Sequence, residues 1–553
     1  MNIKTVTPLL SVAPQIMPKD LIAIKEKGFK TIICNRPDGE GVDQPTYKEI
    51  QLEAEKLGIE FCYMPVISGK VTDNDIAPFA DAIDTMPGPI LAYCRTGTRS
   101  ITLWAMSSSK KHSYEELLLL SQKAGYDLSG VVRRLKNGGN TPTDNAEYTH
   151  SVVIIGAGAA GIAVASSLKS RSPDLDVAII DPAEVHYYQP GWTMVGCGVF
   201  DPNQTVRTTS SVIPKGVTWI KAAAAAFLPK ENTVIIDGCR IVKYDQLVVC
   251  PGIKLDWHKI DGLSETLGRN GVTSNYRFDL APYTWELVQG LKKGKAVFSQ
   301  PPMPIKCAGA PQKAMYMSCD HWNRSGVLKD IDVQFFNSGE VLFGVKEYVP
   351  ALMEYIEKYQ TTLNFSHQLI AVDGLKKIAT FQVVNEHGTS LIETEFDMLH
   401  VVPPQSPPDF IKVSPLADCN GWIDVDQSTL QHKVYENIFA LGDACNTPNA
   451  KTAAAARMQA PIVASNLLYI RNSQSERAIY NGYGSCPLTV ERGKVVLAEF
   501  GYGGKILNSM PSWIINGKRP SRLAWLLKER ILPPIYWEGM LKGREWLAKP
   551  KIK

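Results

Sequence analysis

Runs of apolar, β-branched residues alternate with amphipathic segments along most of the chain, a pattern that predicts parallel strands joined by helices. In the first part of the chain, strands are predicted at 29–34, 59–66 and 89–94, and helices at 20–27 and 47–57. Residues 1–135 are therefore expected to form a small α/β domain built on a parallel sheet.

A strongly apolar strand followed by a glycine-rich turn begins the larger part of the chain. Residues 152–155 are all β-branched, and Gly156, Gly158 and Gly161 then lead into an apolar helix predicted at 162–169. The three glycines would, in order, permit a tight turn, let a pyrophosphate approach the backbone, and let the helix pack closely on the strand. The phosphates would lie on the free N–H groups at the start of that helix.

A carboxylate in the next strand supports this interpretation. A second buried strand is predicted at 177–180, and it ends at Asp181, twenty residues after Gly161. Dinucleotide-binding sites use a carboxylate near this position to accept the ribose hydroxyl. Asp181 and the three glycines are therefore predicted to bind a dinucleotide cofactor.

The domain boundaries follow from composition and element order. Residues 136–150 are rich in Asn, Gly and Thr, as is typical of a linker between units that fold separately. Beyond the linker we expect a dinucleotide-binding domain at 151–265 and 425–475, a second Rossmann-like domain at 266–424, and a C-terminal region at 476–553. The predicted fold class is α/β, with tandem Rossmann-type domains after the small N-terminal sheet.

Composition narrows the class of protein. The 553 residues are 44% hydrophobic and 21% charged, which is ordinary for a globular chain. No apolar run approaches the roughly 20 residues of a transmembrane helix, and the first residues lack the apolar core of a signal peptide. The eleven cysteines form no Cys-x-x-Cys pair and are expected to be reduced thiols. No metal site and no nucleic-acid partner are predicted.

One of these cysteines ends a predicted strand. Cys94 closes the strand at 89–94, and the loop after it leads through Arg99 into an apolar helix predicted at 101–106. A cysteine in this position lies in a nest of backbone N–H groups, and their dipoles together with Arg99 favour the thiolate form. We therefore expect Cys94 to be a reactive thiol.

The Cys-x-x-Gly-x-Arg pattern of this loop resembles the active loop of rhodaneses, and the domain resembles the phosphatase-like family found beside sulfur enzymes. Tyrosine phosphatases usually have five residues between Cys and Arg, whereas four separate Cys94 from Arg99. A shorter loop makes a smaller cradle, better suited to a sulfane sulfur than to a phosphoryl group. Residues 35–40 could supply an acid beside it or be a solvated turn. A phosphatase and a binding module without catalysis remain alternatives to a sulfurtransferase.

Segments of the larger part resemble the two-dinucleotide flavoprotein oxidoreductases. Residues 244–252 resemble their connecting motif, and 437–444 resemble the segment that brings an Asp to the ribityl chain of the flavin. The resemblance implies FAD, with Gly442 and Asp443 as contacts and a helix opening at Lys451 and Thr452 toward the flavin ring. Cys250 stands where this family usually has Ala, and we interpret it as structural rather than as a redox thiol.

The second Rossmann-like domain lacks a glycine-rich fingerprint of its own. Its predicted strand at 296–300 runs into Pro301, Pro302 and Pro304. Proline fixes φ and removes an N–H donor, which is the opposite of what a phosphate-binding loop needs. NAD(P)H is therefore not expected as the electron donor. A flavin NADH:quinone oxidoreductase is the alternative, and bleaching of the flavin by NADH would favour it.

Dispersed segments over 150–553 resemble, in order, the sulfide:quinone oxidoreductases of the mitochondrial type. The matching segments are 186–193, 274–276, 306–313, 343–346, 398–401, 421–426 and 482–488. The resemblance implies two redox cysteines, Cys307 and Cys486, and makes Gln189 a flavin contact together with Lys451 and Thr452. It also implies sulfide as substrate, a quinone as electron acceptor, and a small thiol such as glutathione as sulfur acceptor. Lys306 would favour the Cys307 thiolate if its side chain points the same way.

The end of the chain is basic and rich in tryptophan. Residues 505–553 carry eleven Lys and Arg against three Glu, a local net charge of +8, with Trp513, Trp525, Trp537 and Trp546 among them. Short amphipathic helices predicted at 523–531 and 535–547 would suit a bilayer interface without crossing it. We expect peripheral association on the cytoplasmic side of a membrane, and a homo-oligomer is possible. The alternative is a tail packed on its own domain or on a dimer partner.

Overall fold

The computed structural model describes residues 2–41, 43–143, 147–385 and 388–553. Three residues of the predicted linker, 144–146, lie outside the described residues. The chain is α/β throughout, as predicted, with a parallel sheet in the N-terminal domain and two further parallel sheets in the rest of the chain.

A five-stranded sheet forms the centre of the N-terminal domain. Its strands in spatial order are Lys4–Thr5, Leu10–Ala13, Ile90–Tyr93, Thr31–Cys34 and Glu60–Tyr63, and only the first is antiparallel to its neighbour. The helices around it are Leu21–Glu26, Tyr47–Lys56, Asp73–Thr85, Thr98–Ser108, Tyr114–Lys123 and Val132–Lys136. The three strands and the helices predicted from the sequence are present. Sequence reasoning missed the first two strands.

The central strand of this sheet, Ile90–Tyr93, is buried on both faces because helices cover each side. Cys94 follows its last residue, and the helix Thr98–Ser108 begins four residues later with most of its length buried. The loop between them therefore lies at the carboxyl edge of the sheet, where parallel α/β folds place their binding residues.

The first sheet of the larger part carries the glycine-rich turn. Its parallel strands in spatial order are Val217–Ile220, Val177–Ile180, Glu147–Ile155, Arg240–Val249 and Ile438–Ala440, and the antiparallel strands Thr233–Ile236 and Ala224–Leu228 extend it. Glu147–Ile155 begins inside the segment predicted as a linker. The helices Ala159–Arg171 and Ala453–Arg471 pack on each other and share an apolar core with the sheet.

A second Rossmann-type unit follows in the chain. Its five strands are all parallel, in the order Val272–Thr273, Met398–His400, Gly294–Gln300, Ile331–Asn337 and Thr362–Phe365. Its principal helices are Ala281–Gly290, Ala310–Arg324 and Val349–Tyr359. An antiparallel sheet of His367–Asp373, Ile378–Asn385 and Gly388–Glu395 is attached to it. The predicted tandem arrangement is therefore confirmed.

The C-terminal region contains a hairpin and a helical tail. The hairpin strands are Gly484–Glu491 and Lys494–Phe500, and the tail contains the helical segments Arg522–Leu526, Leu527–Ile531 and Ile535–Gly539. Met540 and Leu541 are buried in the core of the first Rossmann unit, and Glu545 accepts hydrogen bonds from Arg171. This end of the tail packs on its own domain. No helix in the described ranges is long and apolar enough to cross a membrane.

Candidate functional site

Most of the residues predicted to bind the cofactor line a single cleft. It has a volume of about 380 Å³ and lies at the carboxyl ends of the strands of the first sheet. The predicted residues that line it are Gly156, Gly158, Asp181, Gln189, Gly442, Asp443, Lys451 and Thr452. Gly161 lies just behind the cleft wall.

Each of the three positions has a different structural reason for being glycine. Gly156 has a φ of +102°, which only glycine adopts readily. A Cβ on Gly161 would lie 1.9 Å from the Gly156 carbonyl oxygen, so close packing excludes any side chain there. A Cβ on Gly158 would meet no atom within 4 Å. The space above Gly158 is therefore open to a ligand at the start of the helix Ala159–Arg171.

Asp181 is held in position by backbone donors. Its Oδ2 accepts from the N–H of Ala157 at 2.6 Å, and its Oδ1 accepts from the N–H of Ala183 at 2.7 Å. Burial raises the pKa of the Asp181 carboxyl, against these hydrogen bonds. Each carboxylate oxygen keeps a further lone pair, which a ribose hydroxyl could use.

A second helix points its N-terminus into the cleft. Thr452 caps the helix Ala453–Arg471, and its Oγ1 accepts from the N–H of Ala455 at 3.2 Å. The Lys451 ammonium donates to the carbonyl oxygens of Asp443 and Cys445, both at 2.8 Å. The Lys451 side chain therefore fixes the Asp443 turn, and the helix dipole supplies positive potential to the cleft.

Within the described part of the chain, two polar side chains of the cleft wall have side-chain atoms that lack a hydrogen-bond partner. Both side-chain atoms of Asn275 and the Nε1 of Trp192 are buried without a hydrogen bond. Buried polar groups are normally hydrogen-bonded. These atoms, the open space above Gly158 and the fixed carboxylate of Asp181 fit a large polar ligand such as a dinucleotide cofactor. In the sequence, residues 274–276 were identified only by their resemblance to a family, and no side chain among them was predicted to bind a ligand.

The two predicted redox cysteines meet at one end of this cleft. The Sγ atoms of Cys307 and Cys486 lie 3.9 Å apart, and neither forms a disulfide. Cys307 lines the cleft, whereas Cys486 lies behind it on the strand Gly484–Glu491. The N–H of Cys307 donates to the Lys451 carbonyl at 2.8 Å, and its φ of +50° indicates backbone strain at this position.

The charge at the cysteine pair comes from a lysine that sequence reasoning missed. Lys313, in the first turn of the helix Ala310–Arg324, donates to the Cys307 Sγ at 3.0 Å and to the Cys486 Sγ at 3.9 Å. The hydrogen bond from Cys486 and the Lys313 charge hold the pKa of Cys307 well below its usual range, against burial. The neighbouring Cys307 thiolate raises the pKa of Cys486 well above its usual range.

Lys306 has a different partner from the one considered in the sequence. Its ammonium donates to Oε1 of Gln189 at 2.7 Å, and burial lowers the pKa of Lys306 to about 8. The lysine hydrogen-bonded to the sulfur pair is Lys313. Lys313 is six residues after Cys307 and therefore lies on the same turn-and-helix unit. The sequence does not show in which direction the Lys306 and Lys313 side chains point.

Two further residues shape this sulfur site. A Cβ on Gly309 would lie 2.5 Å from the Cys486 Sγ, so the absence of a side chain lets the two cysteines approach. Lys528, in the tail, is buried and donates to the Pro487 carbonyl at 3.1 Å. Burial and the nearby Lys313 charge lower the pKa of Lys528 to about 7. Neither residue was selected from the sequence as part of a site.

Cys250 lies under the glycine-rich turn. Its Sγ donates to the Ile155 carbonyl at 3.2 Å, and a Cβ on Gly161 would approach it to 3.2 Å. Burial raises the pKa of Cys250 above that of an ordinary thiol. This environment supports its interpretation as a structural cysteine.

The second predicted site lies in the N-terminal domain. Cys94 has no exposed surface, and the Gly97 N–H donates to its Sγ at 3.1 Å. The two guanidinium nitrogens of Arg99 donate to the Glu40 carboxylate at 2.8 and 2.7 Å. Burial alone would raise the pKa of Glu40, but Arg99 and Arg36 lower it below its usual range. Residues 35–40 therefore lie beside the loop, and the negatively charged Glu40 carboxylate holds the Arg99 guanidinium in place.

Two different family models match two different parts of the chain. Residues 2–111 match the family model described as Beta-lactamase hydrolase-like protein, phosphatase-like domain. Residues 150–284 match the one described as Pyridine nucleotide-disulphide oxidoreductase. The Beta-lactamase hydrolase-like protein of Xylella fastidiosa, strain Temecula1, is 33% identical over 138 residues, which are 25% of this chain and 32% of that protein.

The larger part has a relative that it matches over most of its length. The mitochondrial sulfide:quinone oxidoreductase of Dictyostelium discoideum is 39% identical over 424 residues, which are 76% of this chain and 92% of that protein. The crystal structure of the sulfide:quinone oxidoreductase from Aquifex aeolicus has the same fold, with a TM-score of 0.59 and 18% identity. The superposition covers 73% of this chain and 97% of that chain.

Proposed function

This chain belongs to the sulfide:quinone oxidoreductase family, and from that premise we propose which of its residues perform each part of the reaction. The chain oxidises sulfide to sulfane sulfur in a flavin-dependent reaction and passes the electrons to a quinone. One observation supports the assignment of residues most directly. The cysteine pair, with Lys313 beside it, opens onto the cleft that fits a dinucleotide cofactor.

The flavin is FAD in this proposal, held by the residues of the cleft. The open backbone at Gly158 would receive the pyrophosphate, and Asp181 would accept from the adenosine ribose. Asp443 would approach the ribityl chain, and the helix that begins after Thr452 would face the ring. Bound FAD supplies a two-electron acceptor that can in turn reduce a quinone.

The cysteine pair handles the sulfur. Two S–S bonds of about 2.05 Å that meet at a bent central sulfur span about 3.3 Å. The observed 3.9 Å therefore admits a bridge of one sulfur atom once the two cysteines approach each other further. Hydrosulfide attack on such a bridge forms one S–S bond and breaks another. A persulfide remains on one cysteine, and the sulfur released on the other is an anion, which Lys313 stabilises. Cys307 lines the cleft and is the cysteine that delivers the electron pair.

The outer persulfide sulfur then passes to a small thiol such as glutathione.

Anaerobic titration of the holoenzyme with sulfide tests the main assignment. We expect loss of the visible absorption band of the oxidised flavin, and its recovery when a quinone is added. Bleaching by NADH but not by sulfide would instead support the NADH:quinone alternative.

The N-terminal domain moves sulfane sulfur in this proposal. Its four-residue spacing between Cys94 and Arg99 makes a small cradle that suits a sulfane sulfur, and the Gly97 N–H donates to the Cys94 Sγ at 3.1 Å. Thiosulfate-dependent sulfur transfer by the full chain, absent in Cys94→Ser, is the expected result. Hydrolysis of p-nitrophenyl phosphate without sulfur transfer would favour the phosphatase alternative, and neither activity would favour a binding module.

A surface of the tail offers a place for membrane contact. Trp513 is 83% exposed, and the exposed apolar residues near it alternate with exposed basic ones. The apolar members are Trp513, Ile514, Leu523, Leu526 and Ile531, and the basic ones are Lys518, Arg519, Arg522 and Arg530. We call this set the tail patch. Its composition suits a bilayer interface, and the eleven cysteines, which the sequence predicts to be reduced thiols, suit attachment at the reducing, cytoplasmic side.

A further inference from the structure

The ammonium of Lys306 lies in the cofactor cleft, where the reaction proposed above gives it no role. Its side chain lines the cleft, next to Cys307 in the chain, and is partly exposed there. An ammonium carries three N–H donors. Within the described residues, the only hydrogen-bond acceptor for this one is Oε1 of Gln189, at 2.7 Å. Two donors of a cation are therefore available to a ligand of the cleft.

The turn that carries Lys306 is fixed against the start of a helix. The Lys306 N–H donates to Oε1 of Gln405 at 2.8 Å, and the Cys307 N–H donates to the Lys451 carbonyl at 2.8 Å. The Tyr276 hydroxyl donates to the carbonyls of both turn residues, at 2.9 and 3.2 Å. Lys306 and Cys307 therefore hold a constant position relative to the helix after Lys451, which would face the flavin ring.

The surroundings of the Lys306 ammonium compensate its charge only in part. Its Nζ lies 5.5 Å from the ring centroid of Trp192 and 5.7 Å from that of Tyr276, and such ring faces attract a cation. The nearby charged groups, Asp443 and Cys307, raise the pKa of Lys306, but burial outweighs them and lowers it to about 8. A further negative charge in the cleft would therefore stabilise the ammonium.

Reduction of the cofactor brings such a charge into the cleft. The bridge between Cys307 and Cys486 re-forms when a thiolate on one cysteine and a persulfide on the other make an S–S bond, which releases two electrons. Two electrons that enter FAD with one proton from solvent leave one net negative charge. At the low effective dielectric constant of a cleft, a fixed cation stabilises that charge far more than it would in water.

We propose that Lys306 is the fixed counter-charge of the reduced flavin, held beside the ring by Gln189, and that it sets how far the electron pair moves from sulfur to the cofactor. The proposal rests on the FAD binding and sulfide oxidation proposed above. Lys306 contacts the cofactor in this arrangement, and Gln189 positions the ammonium. Because the effect is electrostatic, it requires the charge of the side chain and not its shape.

The reduction potential of bound FAD tests the counter-charge in the holoenzyme, by equilibration with reference dyes. Lys306→Met keeps the length of the side chain and removes its charge. We expect the equilibrium between oxidised and reduced FAD to shift about 100-fold toward the oxidised form. For a two-electron couple this is a potential about 60 mV more negative, at about 30 mV per tenfold. Lys306→Arg keeps the charge and should shift the equilibrium by less than tenfold.

Lys412→Met is the matched control. Burial also lowers the pKa of Lys412, but its ammonium donates to Oγ of Ser406 and does not line the cleft. We expect this variant to keep the wild-type potential and all three variants to keep their FAD. An unchanged potential in Lys306→Met would overturn the proposal. Loss of FAD from Lys306→Met would also overturn it, because Lys306 would then be needed to bind the cofactor.

Reduction of FAD should in turn raise the pKa of Lys306, because coupling between two sites is reciprocal. Acetic anhydride modifies only the neutral amine, and mass spectrometry of the Lys306 peptide follows that reaction across pH. In the cofactor-free protein the reaction should be half-maximal near pH 8. Between the oxidised and the dithionite-reduced holoenzyme the midpoint should rise by about two pH units, which matches the expected 100-fold effect.

Dithionite reduction does not need sulfide, so this measurement separates the counter-charge from the sulfide reaction. A shift of the Lys306 midpoint in a holoenzyme that sulfide fails to bleach would support the counter-charge and remove the sulfide assignment. The same midpoint in both redox states would overturn the counter-charge, whatever sulfide does.

Discussion

The ammonium of Lys313 lies 3.0 Å from the sulfur of Cys307 and donates a hydrogen bond to it. A buried thiolate needs such a partner, because burial alone favours the neutral thiol. The hydrogen bond from Cys486 and the charge of Lys313 together hold the pKa of Cys307 below its usual range even though the site is buried. It also makes Lys313 the residue whose removal should change the sulfur chemistry most directly.

Replacing Lys313 by Met should raise the pKa of Cys307. As the pH falls through the ordinary thiol value of about 8.5, wild-type Cys307 should stay a thiolate while the variant becomes protonated. At neutral pH we expect sulfide-driven flavin reduction to slow by about 10- to 100-fold. Rapid-mixing measurements and the pH profile of Cys307 alkylation check this. Lys313→Arg should keep the profile, and an unchanged profile in Lys313→Met would contradict the assignment.

Two glycine replacements should separate cofactor binding from folding. Gly158 has ordinary dihedral angles and open space above it, so Gly158→Leu should fold but bind no FAD. Gly161→Ala should instead lower the free energy of unfolding by about 3 kcal/mol, because the new Cβ overlaps the Gly156 carbonyl. Flavin absorbance and thermal unfolding of the cofactor-free proteins distinguish the two. Full FAD content in Gly158→Leu would refute the assigned pyrophosphate position.

Gly309→Ala should push Cys486 away from Cys307. Glycine at 309 has an αR backbone that alanine also adopts, so the effect is steric rather than conformational. We expect retained FAD and a sulfide-dependent rate lower by about 100-fold, since a sulfur bridge needs close approach. Gly344→Ala is the control, because a Cβ there meets no atom within 4 Å. Wild-type turnover by Gly309→Ala would show that the sulfurs do not need their present separation.

Serine replacements should separate the two sulfur centres. Cys307→Ser or Cys486→Ser should leave FAD bound and stop sulfide-dependent quinone reduction, because one thiol alone cannot hold the sulfur and restore the bridge. Cys94→Ser should spare quinone reduction and stop sulfane-sulfur transfer. Spectrophotometric quinone reduction and a thiosulfate assay measure the two reactions. If Cys94→Ser prevents flavin reduction by sulfide, the division between the centres is wrong.

Membrane attachment should depend on exposed residues of the tail patch. Trp513→Ser combined with Leu526→Ser should weaken binding to anionic vesicles and slow reduction of long-tailed quinones more than of water-soluble analogues. Each basic residue near such a surface contributes roughly 1 kcal/mol, so salt should also weaken the binding. Leu375→Ser is the control, because Leu375 is 90% exposed in the turn between the strands His367–Asp373 and Ile378–Asn385. Unchanged vesicle sedimentation of the double variant would exclude this surface.

The features that could be predicted from the sequence are those that a short stretch of chain determines. The strand before Gly156 and the carboxylate at Asp181 were predictable, because period, turn chemistry and spacing all lie within 30 residues. The strand Lys4–Thr5 was missed because two residues are too few to show a periodic pattern of hydrophobic positions. The contact between Cys307 and Cys486, which are 179 residues apart, came only from a family resemblance.

Side-chain direction was the other limit. Lys306 is the immediate neighbour of Cys307, yet the turn at positive φ sends its ammonium to Gln189, and Lys313 reaches the sulfur instead. Trp and basic residues indicated an interfacial tail. The burial of Tyr536 and Lys528 in that tail depends on the domain they pack against, which no local pattern describes.

Tyr536 of the tail lines the cofactor cleft, and its hydroxyl is 2.6 Å from Nε2 of His186, whose Nδ1 is 3.0 Å from the carbonyl oxygen of Ala157 in the glycine-rich turn. Gly156 and Tyr536 are separated by 380 positions in the chain. Domains commonly begin to fold during synthesis, starting from the N-terminus. Here the first Rossmann strands can form early, but the cleft gains its last wall only after the ribosome has passed Tyr536. Stable capture of the cofactor is therefore a late event in the biogenesis of this protein.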